Sequence, residues 1–366
     1  MSQEKYPEYS ACALPHYIAS EIDKQEIFLK TEKDYAKDGI KTIFGQKVTS
    51  IEPENRKVFF DSSSLTYDKL VLPTGSNPVV LPIPGSKING VFPLKSLDDA
   101  DRILRHMGNT AVIIGSGPVG IETAIALKKR GLQVYLLEVF DRIMPKLFDK
   151  VPSARLRELL EENGITVLTG EQVTSIAGNG KVEGINTDKR QIACDLVIMG
   201  TGMIPNVELA KQSGFDIGAL GGISVNERMM TNLEDIYACG DCIESVDRTT
   251  GEKTLSLLWH NAVRQGEVVG LNCAGVSRSY PGSENVTSLV VFDIHATSFG
   301  YTEAEASRNG DVEVIEKSAT KDYYRLITAN GKLVGAQSIG DSQDMGALRC
   351  SMLRCDDLND IKQAFD

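Results

Sequence analysis

The stretch Ala111-Val112-Ile113-Ile114-Gly115-Ser116-Gly117-Pro118-Val119-Gly120 decides the fold. Its four apolar residues, rich in β-branched side chains, predict a buried parallel strand. Three glycines at a spacing of two and three come directly after it. A helix is then expected from about Val119 to Arg130, with Ile121, Ala124 and Ile125 on one face and Gly131 as its stop. The next apolar run, Gln133-Val134-Tyr135-Leu136-Leu137-Glu138, reads as a second strand ending in an acid 23 residues after Gly115. Strand, glycine turn, helix and acid in this register are the full dinucleotide-binding context. A bare turn between an unrelated strand and helix would not need the acid.

Each residue has a mechanical part to play. Gly115 permits the tight turn, Gly117 lets the backbone approach a pyrophosphate, and Gly120 lets helix and strand pack closely. The helix N-terminus then faces the phosphates. Glu138 is expected to accept from the adenosine ribose hydroxyls and to repel a 2′-phosphate, which favours NADH over NADPH.

Compared with itself, the chain contains a second copy of the elements downstream of this unit. After the unit lie Thr166-Val167-Leu168, Gln172-Val173-Thr174-Ser175-Ile176, and Asp195-Leu196-Val197-Ile198-Met199-Gly200-Thr201-Gly202 with Pro205. Before it lie Thr42-Ile43-Phe44, Lys47-Val48-Thr49-Ser50-Ile51, and Asp68-Lys69-Leu70-Val71-Leu72-Pro73-Thr74-Gly75 with Pro78. Both copies run through a β-meander to an apolar strand ending in Thr-Gly, where a glycine lets the backbone pass close to a nucleotide. Gly115 and Thr201 are 86 residues apart, and the same distance counted back from Thr74 falls upstream of Met1. The first copy is therefore expected to lack its own glycine turn, either because the chain begins inside its second strand or because a short protein has lost that nucleotide site.

Composition excludes other classes. With 42% hydrophobic and 24% charged residues in a chain of 366, a folded protein of two or three domains is expected. A net charge of -11 leaves no basic field for nucleic acid. No apolar run approaches a membrane span and the start has no signal-peptide core, so the expected location is cytoplasmic. Seven cysteines at irregular spacing suggest free thiols rather than a disulfide framework.

Four segments carry a resemblance over essentially the whole chain. They are Ser10-Ala11-Cys12-Ala13-Leu14-Pro15-His16-Tyr17, the Thr74-Gly75 segment, the glycine stretch with Glu122 and Arg142, and Asp235-Ile236-Tyr237-Ala238-Cys239-Gly240-Asp241. Together they resemble the FAD-dependent pyridine nucleotide-disulfide oxidoreductases, in the branch of CoA-disulfide reductases, NADH oxidases and NADH-dependent persulfide reductases. The resemblance implies FAD and NAD as cofactors, Asp241 after Gly240 as the partner of the FAD ribityl chain, and a helix after Leu258-Trp259-His260-Asn261 whose N-terminus faces the flavin ring. Family members begin with a glycine turn for the FAD pyrophosphate, and this chain departs from them there.

Cys12 precedes Ala13-Leu14-Pro15, and a proline so placed suits the first turn of a helix through Ala19. A thiol at such a position is a candidate low-pKa nucleophile. In the resembling reductases it cycles between thiolate and a mixed disulfide, persulfide or sulfenate. No second cysteine follows Cys12 before Cys194, so it lacks the Cys-x4-Cys partner of glutathione-reductase-like enzymes and a one-cysteine cycle is implied; the alternative is that Cys12 is a small buried hydrophobe. Cys239 and Cys242 form a Cys-x-x-Cys, yet their segment is already committed to the flavin ribityl chain, which argues against a redox or metal pair. Cys350 and Cys355 are expected to serve packing. The histidines at 16, 106, 260 and 295 show no ligand spacing, and no metal is expected.

The expected fold is α/β: two Rossmann-like nucleotide-binding domains, the FAD domain interrupted by the NAD domain and lacking its first βαβ, then a C-terminal α+β dimerisation domain. The boundaries are 1–97 for the first part of the FAD domain, 98–225 for the NAD(P) domain, 226–282 for the second part of the FAD domain, and 283–366 for dimerisation. The expected activity is transfer of electrons from NADH through flavin to a disulfide, persulfide or related sulfur acceptor at Cys12, in a homodimer. The chain stops at Asp366 without the aromatic tail residues of coenzyme A reductases, which weakens coenzyme A as the substrate. Two alternatives stay open: a reductase passing electrons to oxygen, ferredoxin or rubredoxin with Cys12 as bystander, and a non-catalytic NADH-binding module.

Overall fold

The computed structural model describes residues 1–308, 310–319, 322–340 and 344–356. They form two compact units: 1–13, 23–77 and 203–284 make the first, and 14–22, 78–202 and 285 onward make the second.

The second unit holds a five-stranded parallel sheet in the order Val91–Pro93, Leu196–Met199, Thr110–Ile114, Gln133–Glu138 and Ile165–Thr169. The three central strands bury nearly every side chain, which explains why they read as continuous apolar runs rather than alternating ones. The helices Leu97–His106, Pro118–Lys129 and Lys150–Glu162 accompany the sheet. Ser96 caps the first of them in a reciprocal capping box with Asp99. After a meander of three short strands, the same unit carries an antiparallel five-stranded sheet, Val286–Val291, Ile294–Gly300, Lys332–Ile339, Tyr323–Ala329 and Val312–Ser318 in spatial order, with the helix Met345–Arg354 packed on it. The α/β class with a C-terminal antiparallel domain is thus as the sequence implied. The tail up to Asp366 lies outside the described residues.

Within the second unit one charged cluster ties the parallel-sheet part to the C-terminal sheet. Asp149 stands at the N-cap of Lys150–Glu162 but its side chain does not cap that helix. Instead its carboxylate accepts from Arg325 Nε at 3.2 Å, from Gln337 Nε2 at 2.9 Å and from the Glu303 backbone N–H. Arg325, whose side chain is 9% exposed, also pairs with Glu303 and Glu316. Removing one member of a buried ion cluster leaves the rest uncompensated. The Glu303 and Glu316 side chains are 49% and 40% exposed and can be rehydrated, so the cost falls mainly on Asp149. Arg325→Met is expected to destabilise this unit by about 2–3 kcal/mol, read as a lower urea midpoint at unchanged slope; a midpoint equal to wild type would contradict it.

The first unit repeats part of this plan. Its meander Val48–Glu52, Lys57–Phe60, Ser63–Thr66 is antiparallel, as is Val173–Ala177, Gly184–Thr187, Gln191–Ala193 in the second unit. The repeat extends to a shared irregularity: the register slips between Val48 and Ser50 in one and between Val173 and Ser175 in the other. In each, the threonine inside the slip donates its hydroxyl across the ladder, Thr49 to Phe59 O at 3.3 Å and Thr174 to Asn186 O at 3.1 Å. A bulge placed twice at the same position marks a shared design of the two copies.

One expectation is corrected. Thr42-Ile43-Phe44 is not a strand. Its neighbourhood makes three backbone hydrogen bonds with Ser2 and Glu4, too few and too irregular for a ladder. The strand Leu70–Leu72 pairs in parallel with Ile236–Ala238 alone among the described residues, so no sheet centre is present for Thr42–Phe44 to join.

Candidate functional site

The glycine stretch forms a strand, a turn and a helix without a break. Gly115 has φ +101°, a left-handed backbone that side chains disfavour. Its N–H bonds Leu137 O at 2.8 Å, which joins the turn to the strand that ends at Glu138. A Cβ on Gly120 would sit 2.0 Å from Gly115 O, so the helix approaches the turn more closely than any side chain allows. A Cβ on Gly117 would meet nothing within 4 Å: the space in front of the helix N-terminus is open. Pro118 occupies the first helical position, where its missing N–H costs nothing.

Gly200 belongs to the same cluster, although the sequence pattern pointed to Thr201 and Gly202 instead. A Cβ there would press on Gly120 Cα at 3.2 Å and Gly115 O at 3.3 Å, and its N–H bonds Ile114 O at 2.8 Å. Its only signal in sequence is its place before Thr201.

Glu138 is buried and its carboxylate is held from two sides. Oε2 accepts from the Ser116 backbone N–H at 3.0 Å and from the Ser116 hydroxyl at 2.5 Å, and Oε1 accepts from the Phe140 N–H at 3.1 Å. Ser116 stands between two glycines, and only the fold shows that it reaches the acid. The loop after Glu138 is shaped by Arg142, which donates to the carbonyls of Pro145 and Phe148. On the same helix as Gly120, the half-buried Glu122 has its carboxyl pushed up to about 6 by desolvation, which His16 only partly offsets.

The two Thr-Gly corners are built alike. In the second unit the Thr201 hydroxyl donates to Val79 O at 2.6 Å, and the Val79 N–H bonds Gly202 O. In the first unit the Thr74 hydroxyl donates to Asn206 O at 2.7 Å, and the Asn206 N–H bonds Gly75 O. Gly202 and Gly75 both have positive φ, +105° and +67°.

Also in the first unit, Gly240 turns at φ +82° and leads into Asp241, whose carboxylate accepts the Ser76 hydroxyl at 2.7 Å. Gln265 from the helix Trp259–Cys273 accepts the Gly240 N–H at 2.7 Å, so the turn is anchored to that helix. Neither Ser76 nor Gln265 was legible in the sequence, because each acts through a contact distant along the chain. Cys239 and Cys242 are buried beside this turn; desolvation pushes the first thiol up to about 12 and raises the second. The Cys242 thiol is held on the carbonyls of Cys239 and Leu72. Among the described residues no group of side chains could hold a metal ion.

Cys12 lies in a single 3-10 turn, Ala11–Ala13, that leads into the short helix Leu14–Ile18. It is exposed, as are Cys350 and Cys355, while Cys194 is buried and its thiol pushed up to about 12 by desolvation. His16 bonds Glu21 at 2.5 Å, and Glu21 in turn pairs with Lys129.

This arrangement is matched along residues 2–266 by the family model described as pyridine nucleotide-disulphide oxidoreductase. The chain belongs to that family. Residues 286–353 of this oxidoreductase match a second family model, the rubredoxin NAD+ reductase C-terminal domain. An NADH oxidase of Methanocaldococcus jannaschii is 34% identical over 93% of this chain and 81% of its own length. A CoA-dependent NAD(P)H sulfur oxidoreductase of Pyrococcus furiosus is 32% identical over 91% of this chain and 79% of its own. Among solved structures, an NAD-dependent persulfide reductase from A. fulgidus superposes with a TM-score of 0.91 at 28% identity, covering 97% of this chain and 72% of the other.

The oxidoreductase is therefore an NAD(P)H-dependent flavoprotein enzyme, with FAD and NAD(P)H as the cofactors of its family. The open space at Gly117 fits a dinucleotide at the helix N-terminus. Toward FAD, the Gly240–Asp241 turn offers a carboxylate and a close-approaching backbone; among the described residues of the first unit, no glycine turn opens a helix. Among the described residues no helix is long and apolar enough to cross a membrane.

Proposed function

We propose that this oxidoreductase draws electrons from NADH and delivers them to a disulfide, persulfide or related sulfur acceptor through Cys12. The observation that carries the reading is the place of Cys12, exposed in a turn that leads into a short helix, while Cys194, Cys239 and Cys242 are buried and hard to ionise and the exposed Cys350 and Cys355 lie at the last helix. Similarity to a sulfur oxidoreductase and a persulfide reductase supports it.

In this reading Gly115, Gly117 and Gly120 hold the pyrophosphate of NADH, Glu138 the adenosine ribose, and Thr201 and Gly202 the edge of the same site. Thr74, Gly75, Gly240 and Asp241 line the flavin side. Bound FAD supplies two-electron transfer between the nicotinamide and the acceptor. The Cys12 thiolate attacks one sulfur of an external disulfide, forms a mixed disulfide and releases one thiolate; two electrons then break that bond, which releases the second thiolate and returns Cys12 as its thiolate. Residues 98–225 serve as the NADH domain, 1–97 with 226–282 as the flavin domain, and 283–366 as the contact of a cytoplasmic homodimer.

A second reading, reduction of oxygen with Cys12 as bystander, is favoured by the similarity to an NADH oxidase. The test uses the full chain supplied with FAD under anaerobic conditions. NADH should bleach the visible flavin band, and cystine, coenzyme A disulfide or polysulfide should then restore it with release of thiol or sulfide. Bleaching that only oxygen or a dye reverses would transfer the assignment to the oxidase. A chain that binds NADH and takes up no flavin would leave only the nucleotide-binding module.

A further inference from the structure

The hydrogen bonds at Glu138 have a fixed direction. The Met144 N–H can only donate, and it donates to Ser116 Oγ at 3.1 Å. Ser116 has a single hydroxyl proton, and that proton goes to Glu138 Oε2 at 2.5 Å, where the Ser116 backbone N–H also donates. Ser116 is fully buried, so no water competes for the hydroxyl. Oε2 therefore takes two donors from one residue, whereas among the described residues Oε1 takes only the Phe140 N–H and keeps acceptor capacity. Met144 sits at φ +46°, a conformation uncommon outside glycine, and its N–H is aimed into this chain of bonds. The glycine turn, the acid and the loop beyond it are thus locked through one hydroxyl.

We infer that Ser116 is a positioning residue for nucleotide choice: it clamps Oε2 of Glu138 so that Oε1 is the oxygen presented to a ribose hydroxyl, and it stops the carboxylate from swinging away from a 2′-phosphate. The inference rests on the reading of Glu138 as the ribose acceptor, and it deepens that reading by naming what holds the acid in place. A carboxylate held by the two backbone N–H donors alone is set less firmly, and would lose part of its hydrogen bond to the 2′-hydroxyl and part of its repulsion of a phosphate. Ser116→Ala should therefore weaken NADH more than NADPH.

The test is equilibrium binding of NADH and of NADPH to the full chain, monitored by the fluorescence of the reduced nicotinamide. Ser116→Ala should raise the Kd for NADH about tenfold and lower the NADPH-to-NADH ratio of Kd values about five- to tenfold. Glu138→Gln should lower the same ratio, and adding Ser116→Ala to it should change the ratio by less than about twofold, because the serine acts through the acid. A general packing defect would instead weaken both nucleotides equally and add in full. Ser116→Cys keeps the shape with a somewhat larger and weaker donor and should fall between wild type and alanine, which covers the case that the alanine variant does not fold. An unchanged ratio in the serine variants, or full additivity with Glu138→Gln, overturns the inference while the ribose reading stands. An unchanged ratio in Glu138→Gln overturns the ribose reading itself.

Discussion

Cys12→Ser is expected to lower NADH-driven reduction of a disulfide or polysulfide by at least about 10³-fold while leaving dye reduction by NADH within about twofold. The asymmetry comes from what each reaction needs. Dye takes electrons without forming a bond to the protein. A sulfur acceptor must be attacked by a thiolate, and a serine hydroxyl of nearly the same size can neither ionise readily nor form a sulfur–sulfur bond. The buried thiols cannot substitute: Cys194 and Cys239 have pKa values pushed up to about 12, and desolvation raises Cys242 and the partly buried Cys273 as well. Cys350 and Cys355 are exposed and serve as controls; their serine variants should retain full sulfur reduction. If Cys12→Ser loses neither activity, the thiol cycle is excluded and the oxidase reading takes its place.

What could be read in the sequence was what is encoded locally. The strand Thr110–Ile114, the helix Pro118–Lys129 and the strand Gln133–Glu138 each arise from a short run of apolar residues, a glycine or a cap. The repeated meander was visible for the same reason, down to the threonines whose hydroxyls cross each bulge. Residues that act through a distant partner were not. Ser116 is one small polar residue among several until Glu138, 22 positions away, folds onto it. Ser76 meets Asp241 across 165 positions, and Asp149 meets Arg325 across 176. Thr42–Phe44 failed in the opposite sense: the run is apolar enough for a strand, but a strand exists only where a neighbour completes its ladder. Its flanks instead bond irregularly to Ser2 and Glu4.

Gly120→Ala and Gly117→Ala, made as a pair, separate the fold of the nucleotide site from its binding function. At Gly120 the added Cβ would stand 2.0 Å from Gly115 O, so helix and turn must part by about an ångström. That shift disturbs the packing against Ile113 and Gly200 as well, and should cost about 1–3 kcal/mol of stability. It also moves the helix N-terminus off the phosphates, so NADH binding should weaken at least about 100-fold. At Gly117 the backbone has φ −69° and the new Cβ meets no protein atom, so Gly117→Ala should unfold at the same urea concentration as wild type. Its methyl group enters the space in front of the helix, and NADH affinity should still fall about 10- to 100-fold because the pyrophosphate can no longer approach the backbone. A Gly117→Ala variant that is stable and binds NADH as tightly as wild type would show that the open space is not where the dinucleotide lies.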